Sequence, residues 1–197
     1  MNRGDVLRHI VSLRNGDPMI ISPGLANYTI ADAKDEPLTI YNMDMPYATP
    51  MALGVALGWP ERRVISIEGD GALLAGPGVL TTVARYQPKN LLIFVFDNGA
   101  YLTTGSGKAP TATAFGTDIE QLGRAAGMKN ARTVHDIDAA KGAVNAAFTE
   151  PGPWLVVVKV DKQDRPAERG RELLPMYVYE AGLIFHRTAL REKSTKA

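Results

Sequence analysis

Cysteine is absent from the 197 residues of this chain. Its absence removes disulfides, iron–sulfur clusters and thiolate zinc sites from the chain's own chemistry. It also suits a reducing compartment, and the expected location is cytoplasmic. Charge of one sign is lacking too. Lys and Arg number 22 against 21 Asp and Glu, a formal charge of +1, which argues against a broad nucleic-acid footprint. No window approaches the roughly 18 apolar residues of a membrane span. The opening MNRGDVLRHIVSLRNGD has no long apolar core of the kind a signal peptide carries. No internal repeat or low-complexity segment stands out. With 45% hydrophobic and 22% charged residues, the chain reads as a soluble globular domain with a real core that binds neither nucleic acid nor membrane.

What is present is an alternation of two periodicities. Val6, Leu7, Ile10, Val11 and Leu13 recur at helical spacing, and Asn15-Gly16-Asp17-Pro18 stops that helix. MIIS (19–22) reads as a short strand and PGLAN (23–27) as the turn after it. Pro46 to Leu57 reads as a small-residue helix, 63–68 as a strand and 76–87 as a helix stopped by Pro88. NLLIFVFD (90–97) is a near-continuous apolar run, the mark of a central parallel strand. Helices are expected over 118–126 and 136–148, and a last buried strand over 153–160. Strands alternating with helices predict an α/β fold: an open, mostly parallel sheet with helices on both faces. Residues 1–162 form the expected domain. Residues 163–197, mixed in character, form a C-terminal arm that packs on a partner.

The chemistry concentrates in VISIEGDGALLAGPG (64–78), where a β-branched run ends on Glu68 and is followed by Asp70 between Gly69 and Gly71. In open α/β sheets ligands sit at the C-terminal ends of the strands. Asp97 and Asn98 close the next apolar strand, and 28 positions separate Asp70 from Asn98, enough for one helical crossover. If the two strands are neighbours, a carboxylate and an amide oxygen face one crevice, and such hard donors suit Mg²⁺ or Ca²⁺. The glycines let the backbone come close to an anion. A lone Gly-Asp-Gly is usually only a tight turn. Strand, GDG, helix, apolar strand and DNGAY at this distance are far more specific together.

This combination resembles the thiamine diphosphate enzymes over residues 18–160, in their diphosphate-binding (PP) half. The resemblance implies Mg²⁺ held by Asp70, Asn98 and the carbonyl of Ala100, with Gly71 and Ala72 offering N–H groups to the diphosphate. Gly69 and Tyr101 belong to the same wall. In NMDMPYATPMALGVALGWPERRVISIEGDG (42–71) it implies that Met45 props the bent cofactor and that the Met43 carbonyl accepts from the 4′-amino group. Gly24 and Asn27, in SPGLAN, fall where family members touch the diphosphate. Asp44 departs from the usual small-residue stretch and bears on substrate preference.

These enzymes also need a pyrimidine-binding (PYR) half that supplies a Glu to the aminopyrimidine. Glu68 lies on the wrong half for that role, so the resemblance implies a separate PYR-domain subunit, in an α2β2 or higher heteromer, acting on a small 2-oxo acid. The division is similar to the sulfopyruvate and phosphonopyruvate decarboxylase group. That group tends to carry Ser/Thr-Thr-Gly after its Asn-Gly-Ala, and here Thr103, Thr104 and Gly105 stand in that place, with Lys108 as a possible cation for the substrate's acid group. The expected activity is non-oxidative decarboxylation. A carboligase, a 2-oxo acid oxidoreductase and a non-catalytic cofactor-binding module stay open as alternatives. His9 and His135 read as structural, and Arg62 and Arg63 as solvated. His186 and Arg187 in the arm are residues that could face substrate.

Overall fold

The computed structural model describes residues 1–102, 109–162 and 178–195. Six strands form one sheet: β1 (Met19–Ile21), β2 (Thr39–Ile40), β3 (Val64–Gly69), β4 (Leu91–Asp97), β7 (Asn130–Val134) and β8 (Trp154–Lys159). Their order is β2-β1-β3-β4-β8-β7, and every pairing is parallel. The apolar runs of β4 and β8 account for their central places. Every residue of β4 is buried, as a strand covered on both faces requires.

Side chains alternate across the pleat, so each strand feeds two cores. Ile65, Ile67, Phe94, Phe96, Val156 and Val158 pack beneath α1 (Arg3–Leu13), α2 (Ala26–Ala33) and α7 (Ile137–Thr149). Val64, Ile93, Val95, Leu155 and Val157 pack on the other face beneath α3 (Ala48–Gly58), α5 (Val79–Tyr86) and α6 (Ile119–Ala125). Each fully buried Ile, Leu or Phe contributes about 1.5–3 kcal/mol through the water it leaves. Phe94 stacks on Phe148 of α7 at 6.3 Å. Asp118 and Asp136 cap α6 and α7 by accepting from Gln121 N at 3.0 Å and Ala139 N at 2.8 Å. The expected open parallel sheet with helices on both faces is the fold observed.

Several elements differ from the sequence expectation. PGLAN is a turn only to Leu25; Asn27 already lies in α2, which buries Asn27, Ile30 and Ala31. GDG is a helix start rather than a free turn, because α4 (Asp70–Leu74) follows β3 directly. The strand β7 (NARTV) carries too much polarity for an apolar pattern to reveal it, since it lies at the sheet edge. A two-stranded hairpin, β5 (Ala100–Tyr101) with β6 (Ala109–Pro110), follows β4.

Arg62 is not solvated. It donates to Asp17 at 3.0 Å, to the Gly16 carbonyl at 2.7 Å and to Glu192 at 2.7 Å, and lies 5.4 Å over Trp59. Through Glu192 it ties down α8 (Val178–Ser194), whose Ala181 and Phe185 are buried against the chain's own body. Among the described residues no helix is long and apolar enough to cross a membrane.

Candidate cofactor and metal site

The sheet reverses direction between β1 and β3: the chain adds β2 outside β1, then continues from β3 toward β4. Loops on either side of such a switch point diverge and leave a crevice at the strand ends. Here that crevice is a cavity of about 160 Å³. Ser22, Pro23, Gly24 and Leu25 wall it after β1, and Glu68 to Ala72 wall it after β3. Phe96, Asn98, Ala100, Tyr101 and Leu102 close the β4 side. Met45 stands at its mouth, 41% exposed although apolar. Arg3, at the start of α1, also lines it; no sequence pattern announces it, because the fold alone carries that helix end to the strand ends.

Gly69 pairs with Phe96 in the β3–β4 register, so Asp70 and the Asp97-Asn98 pair emerge side by side. Asp70 is buried, and its Oδ2 accepts from the Thr111 and Thr113 hydroxyls. Burial pushes its pKa up, while the Thr111 and Thr113 hydrogen bonds hold it down. Asp97 spends its carboxylate on structure: Oδ1 accepts from Gly99 N at 3.0 Å and Thr113 at 2.8 Å, and Oδ2 pairs with Lys159. Asn98 Oδ1 accepts from Ala100 N at 3.1 Å, a local turn that brings the Asn98 side chain and the Ala100 backbone together.

The two glycines of GDG serve different purposes. A Cβ on Gly69 would meet nothing within 4 Å, so its place is open space. A Cβ on Gly71 would come within 2.2 Å of Tyr101 Cε1, so that glycine makes room for an aromatic ring of its own chain. Gly24 has φ +140, a conformation side chains disfavour, and faces open space.

Asn27 does not line the cavity. It is fully buried and stands behind the wall, donating to the Ser22 carbonyl at 2.8 Å and the Gly24 carbonyl at 2.9 Å, while its Oδ1 accepts from Asn42 N at 2.9 Å. It thereby joins the loops after β1 and β2. Met43 is likewise outside the lining; its N–H donates to Ile21 O at 2.8 Å. Thr103, Thr104, Gly105 and Lys108 lie outside the described residues. His186 lines an apolar groove with Val55, Trp59 and Phe185 between α3 and α8, and neither it nor Arg187 borders this cavity. His9 bonds Asn145 of α7 at 2.8 Å, a structural pairing.

Glu68 was expected only to mark the end of a strand. It is 1% exposed, and its Oε1 accepts from Thr49 N at 3.0 Å and Thr49 Oγ1 at 2.9 Å, while Oε2 has no hydrogen bond within 3.5 Å among the described residues. Burial pushes its pKa up, against the hydrogen bonds from Thr49.

The donor set is one buried carboxylate, one amide oxygen and one backbone carbonyl at adjoining strand ends. These hard oxygen donors fit Mg²⁺, which typically takes one or two protein carboxylates and completes its shell with phosphate oxygens and water. The open side of Gly69 leaves room for an anion beside it.

Comparison with known proteins agrees with this geometry. Residues 26–158 match the family model described as thiamine pyrophosphate enzyme, C-terminal TPP binding domain. A sulfopyruvate decarboxylase of Methanosarcina acetivorans is 32% identical over 95% of this chain and 47% of its own length. The sulfopyruvate decarboxylase subunit beta of Methanocaldococcus jannaschii is 32% identical over 66% of this chain and 69% of its own. The chain thus spans about half of the first relative and about two thirds of the second. Benzoylformate decarboxylase from Polynucleobacter necessarius superposes with a TM-score of 0.69 over 85% of this chain and 34% of its own, at 21% identity, a likeness of fold. With the matched residues running from α2 through β8 and enclosing every wall of the cavity but those from β1 and Arg3, the chain belongs to the thiamine pyrophosphate enzymes and carries their C-terminal TPP binding domain.

Proposed function

We propose that this chain is the PP-domain, or beta, subunit of a heteromeric thiamine diphosphate-dependent 2-oxo acid decarboxylase of the sulfopyruvate and phosphonopyruvate type. One observation carries the reading: Asp70 and Asn98 reach one cleft from neighbouring parallel strands, with the open side of Gly69 between the loops. Asp70, Asn98 and the Ala100 carbonyl hold Mg²⁺. Gly71 and Ala72 offer backbone N–H groups to the diphosphate, and Gly24 and Tyr101 complete that wall. Met45 supports the cofactor from the mouth of the cavity, and the Met43 carbonyl accepts from its 4′-amino group. The bound cofactor supplies an electron sink for the carbanion left when a 2-oxo acid loses CO₂. The chain's own part is to hold metal and diphosphate in one orientation and to exclude water on its side. Thr103 and Thr104 meet the acid group of the substrate.

Two features support a partner. The cavity of about 160 Å³ is smaller than the roughly 300–1,000 Å³ of ligand pockets that stand alone. Glu68 ends β3 on the metal-binding half of the site, with Oε1 held by Thr49; in this reading the carboxylate that activates the aminopyrimidine comes from a PYR-domain subunit. In this reading residues 1–162 form the cofactor domain and the segment from 163 its C-terminal arm, with the enzyme acting in the cytoplasm.

The test is Asp70→Ala. Mg²⁺-dependent binding of thiamine diphosphate, followed by near-ultraviolet circular dichroism of the complex, is lost while far-ultraviolet signal and unfolding midpoint persist. Unchanged cofactor affinity in that variant refutes the site. Assay of the native complex on 2-oxo acids then separates aldehyde release, the expected result, from reduction of an electron acceptor.

A further inference from the structure

The metal site as proposed has two halves on different strands: Asp70 after β3, and Asn98 with Ala100 after β4. The β3–β4 ladder sets the two strand ends side by side up to the Gly69–Phe96 pair. Beyond it, a third segment joins the side chains. Thr111 is 2% exposed, and its hydroxyl donates to Asp70 Oδ2 while its own N–H donates to the Gly99 carbonyl at 3.1 Å, between Asn98 and Ala100. Its methyl packs toward Gly71, 3.0 Å from where a Cβ would stand. Thr113 Oγ1 lies 2.8 Å from Asp70 Oδ2 and 2.8 Å from Asp97 Oδ1. It is also 3.0 Å from Thr111 Oγ1. A hydroxyl has one proton, so Thr113 donates to one of the two carboxylates at a time and keeps both within reach. Asp97 in turn is anchored by Lys159 and by the Gly99 N–H.

We infer that Thr111 and Thr113 are positioning residues of the metal site, clasping Asp70 to the Asn98–Ala100 turn. The inference rests on the proposed metal site and adds the residues that shape it. Both hydroxyl contacts fall on Oδ2, which leaves Oδ1 as the oxygen without a hydroxyl contact and favours one-oxygen ligation, the mode that near-octahedral Mg²⁺ accepts. The clasp directly follows the hairpin strand β6 (Ala109–Pro110). Nothing in the sequence marks these threonines, which look like members of a polar loop.

The experiment uses the full chain in its native complex, with Mn²⁺ as a paramagnetic probe in the presence of thiamine diphosphate. Thr113→Val is expected to weaken Mn²⁺ by about 10- to 100-fold, the usual effect of removing a group that orients a metal ligand, and Thr113→Ser to restore it to within about threefold. The zero-field splitting of bound Mn²⁺ broadens in the valine variant. Thr111→Val should act in the same sense; should its burial prevent folding, the half-buried Thr113 pair still decides. A Thr113→Val protein with a lowered unfolding midpoint and unchanged Mn²⁺ affinity has lost only a structural contact, and overturns the inference. Asp70→Asn is the control. If it binds Mn²⁺ normally, the metal-site reading itself fails; if it does not while Thr113→Val does, only the clasp is refuted.

Discussion

Thr49→Val is a near-isosteric change that separates hydrogen bonding from packing at the most buried acid of the site. Thr49 is fully buried. Its hydroxyl donates to Glu68 Oε1 at 2.9 Å and accepts from Ser66 Oγ, also at 2.9 Å. Valine keeps the shape, removes the donor and leaves the Ser66 hydroxyl without its acceptor. A hydrogen bond to a charged group contributes about 1.5–3 kcal/mol, and a stranded buried hydroxyl costs about 1–3 kcal/mol. Allowing for overlap between the two, the variant should lose about 2–4 kcal/mol, a urea midpoint shift of roughly 1 M at the slope usual for a chain of this size.

The cost depends on pH. Burial raises the Glu68 pKa above its ordinary value, so the folded state holds the proton to higher pH than the unfolded chain does. Wild-type stability therefore falls as pH rises from about 4 through the folded pKa. Valine removes a group that favours the charged form, so its cost is larger at pH 8 than at pH 4. Urea unfolding of the isolated chain in EDTA at both pH values measures this. A loss below about 0.5 kcal/mol at both, or a loss independent of pH, refutes the argument; Glu68→Gln should flatten the wild-type pH dependence.

Other outcomes follow from the same geometry. Asn27→Asp turns two donated bonds into a carboxylate facing the Ser22 and Gly24 carbonyls. It should cost more than about 3 kcal/mol in an unfolding experiment. Gly71→Ala drives a methyl into the Tyr101 ring and should lose about 1–3 kcal/mol, partly recovered by Tyr101→Ala in a double-mutant cycle. Gly69→Ala meets only open space; its stability should hold within about 0.5 kcal/mol while thiamine diphosphate affinity falls. Arg62→Ala removes the bonds to Asp17, Gly16 and Glu192, and hydrogen exchange should show faster exchange across α8, with unchanged protection arguing that Ala181, Phe185 and the Lys193 bond to the Gly58 carbonyl hold the helix without Arg62.

Residue pattern alone carried this chain a long way. Apolar runs in β4 and β8, the β-branched run of β3 and the helical spacing in α1 and α7 state a parallel sheet clad on both faces, because burial on two sides favours apolar residues in a central strand; Ser66 and Glu68 of β3 are buried exceptions, bonded to Thr49. GDG and DNGAY at 28 positions' distance point to neighbouring strand ends that face one crevice, and Gly69 does pair with Phe96 there. Elements whose identity rests on neighbours were not legible. The short edge pieces β2 and β7 exist through pairing rather than propensity, and α2 begins inside a segment that reads as a turn.

Only the tertiary structure decided which motif residues face the cavity. Asn27 sits behind its wall, Met43 lies outside its lining, and Gly71 is a glycine on account of Tyr101. Arg3, Thr111 and Thr113 join the site from places that no local pattern marks. The physical reason is range. Burial periodicity and turn chemistry act between residues a few positions apart. The orientation of a carboxylate 41 positions from the hydroxyl that holds it is set only when the folded sheet brings both to the same strand ends.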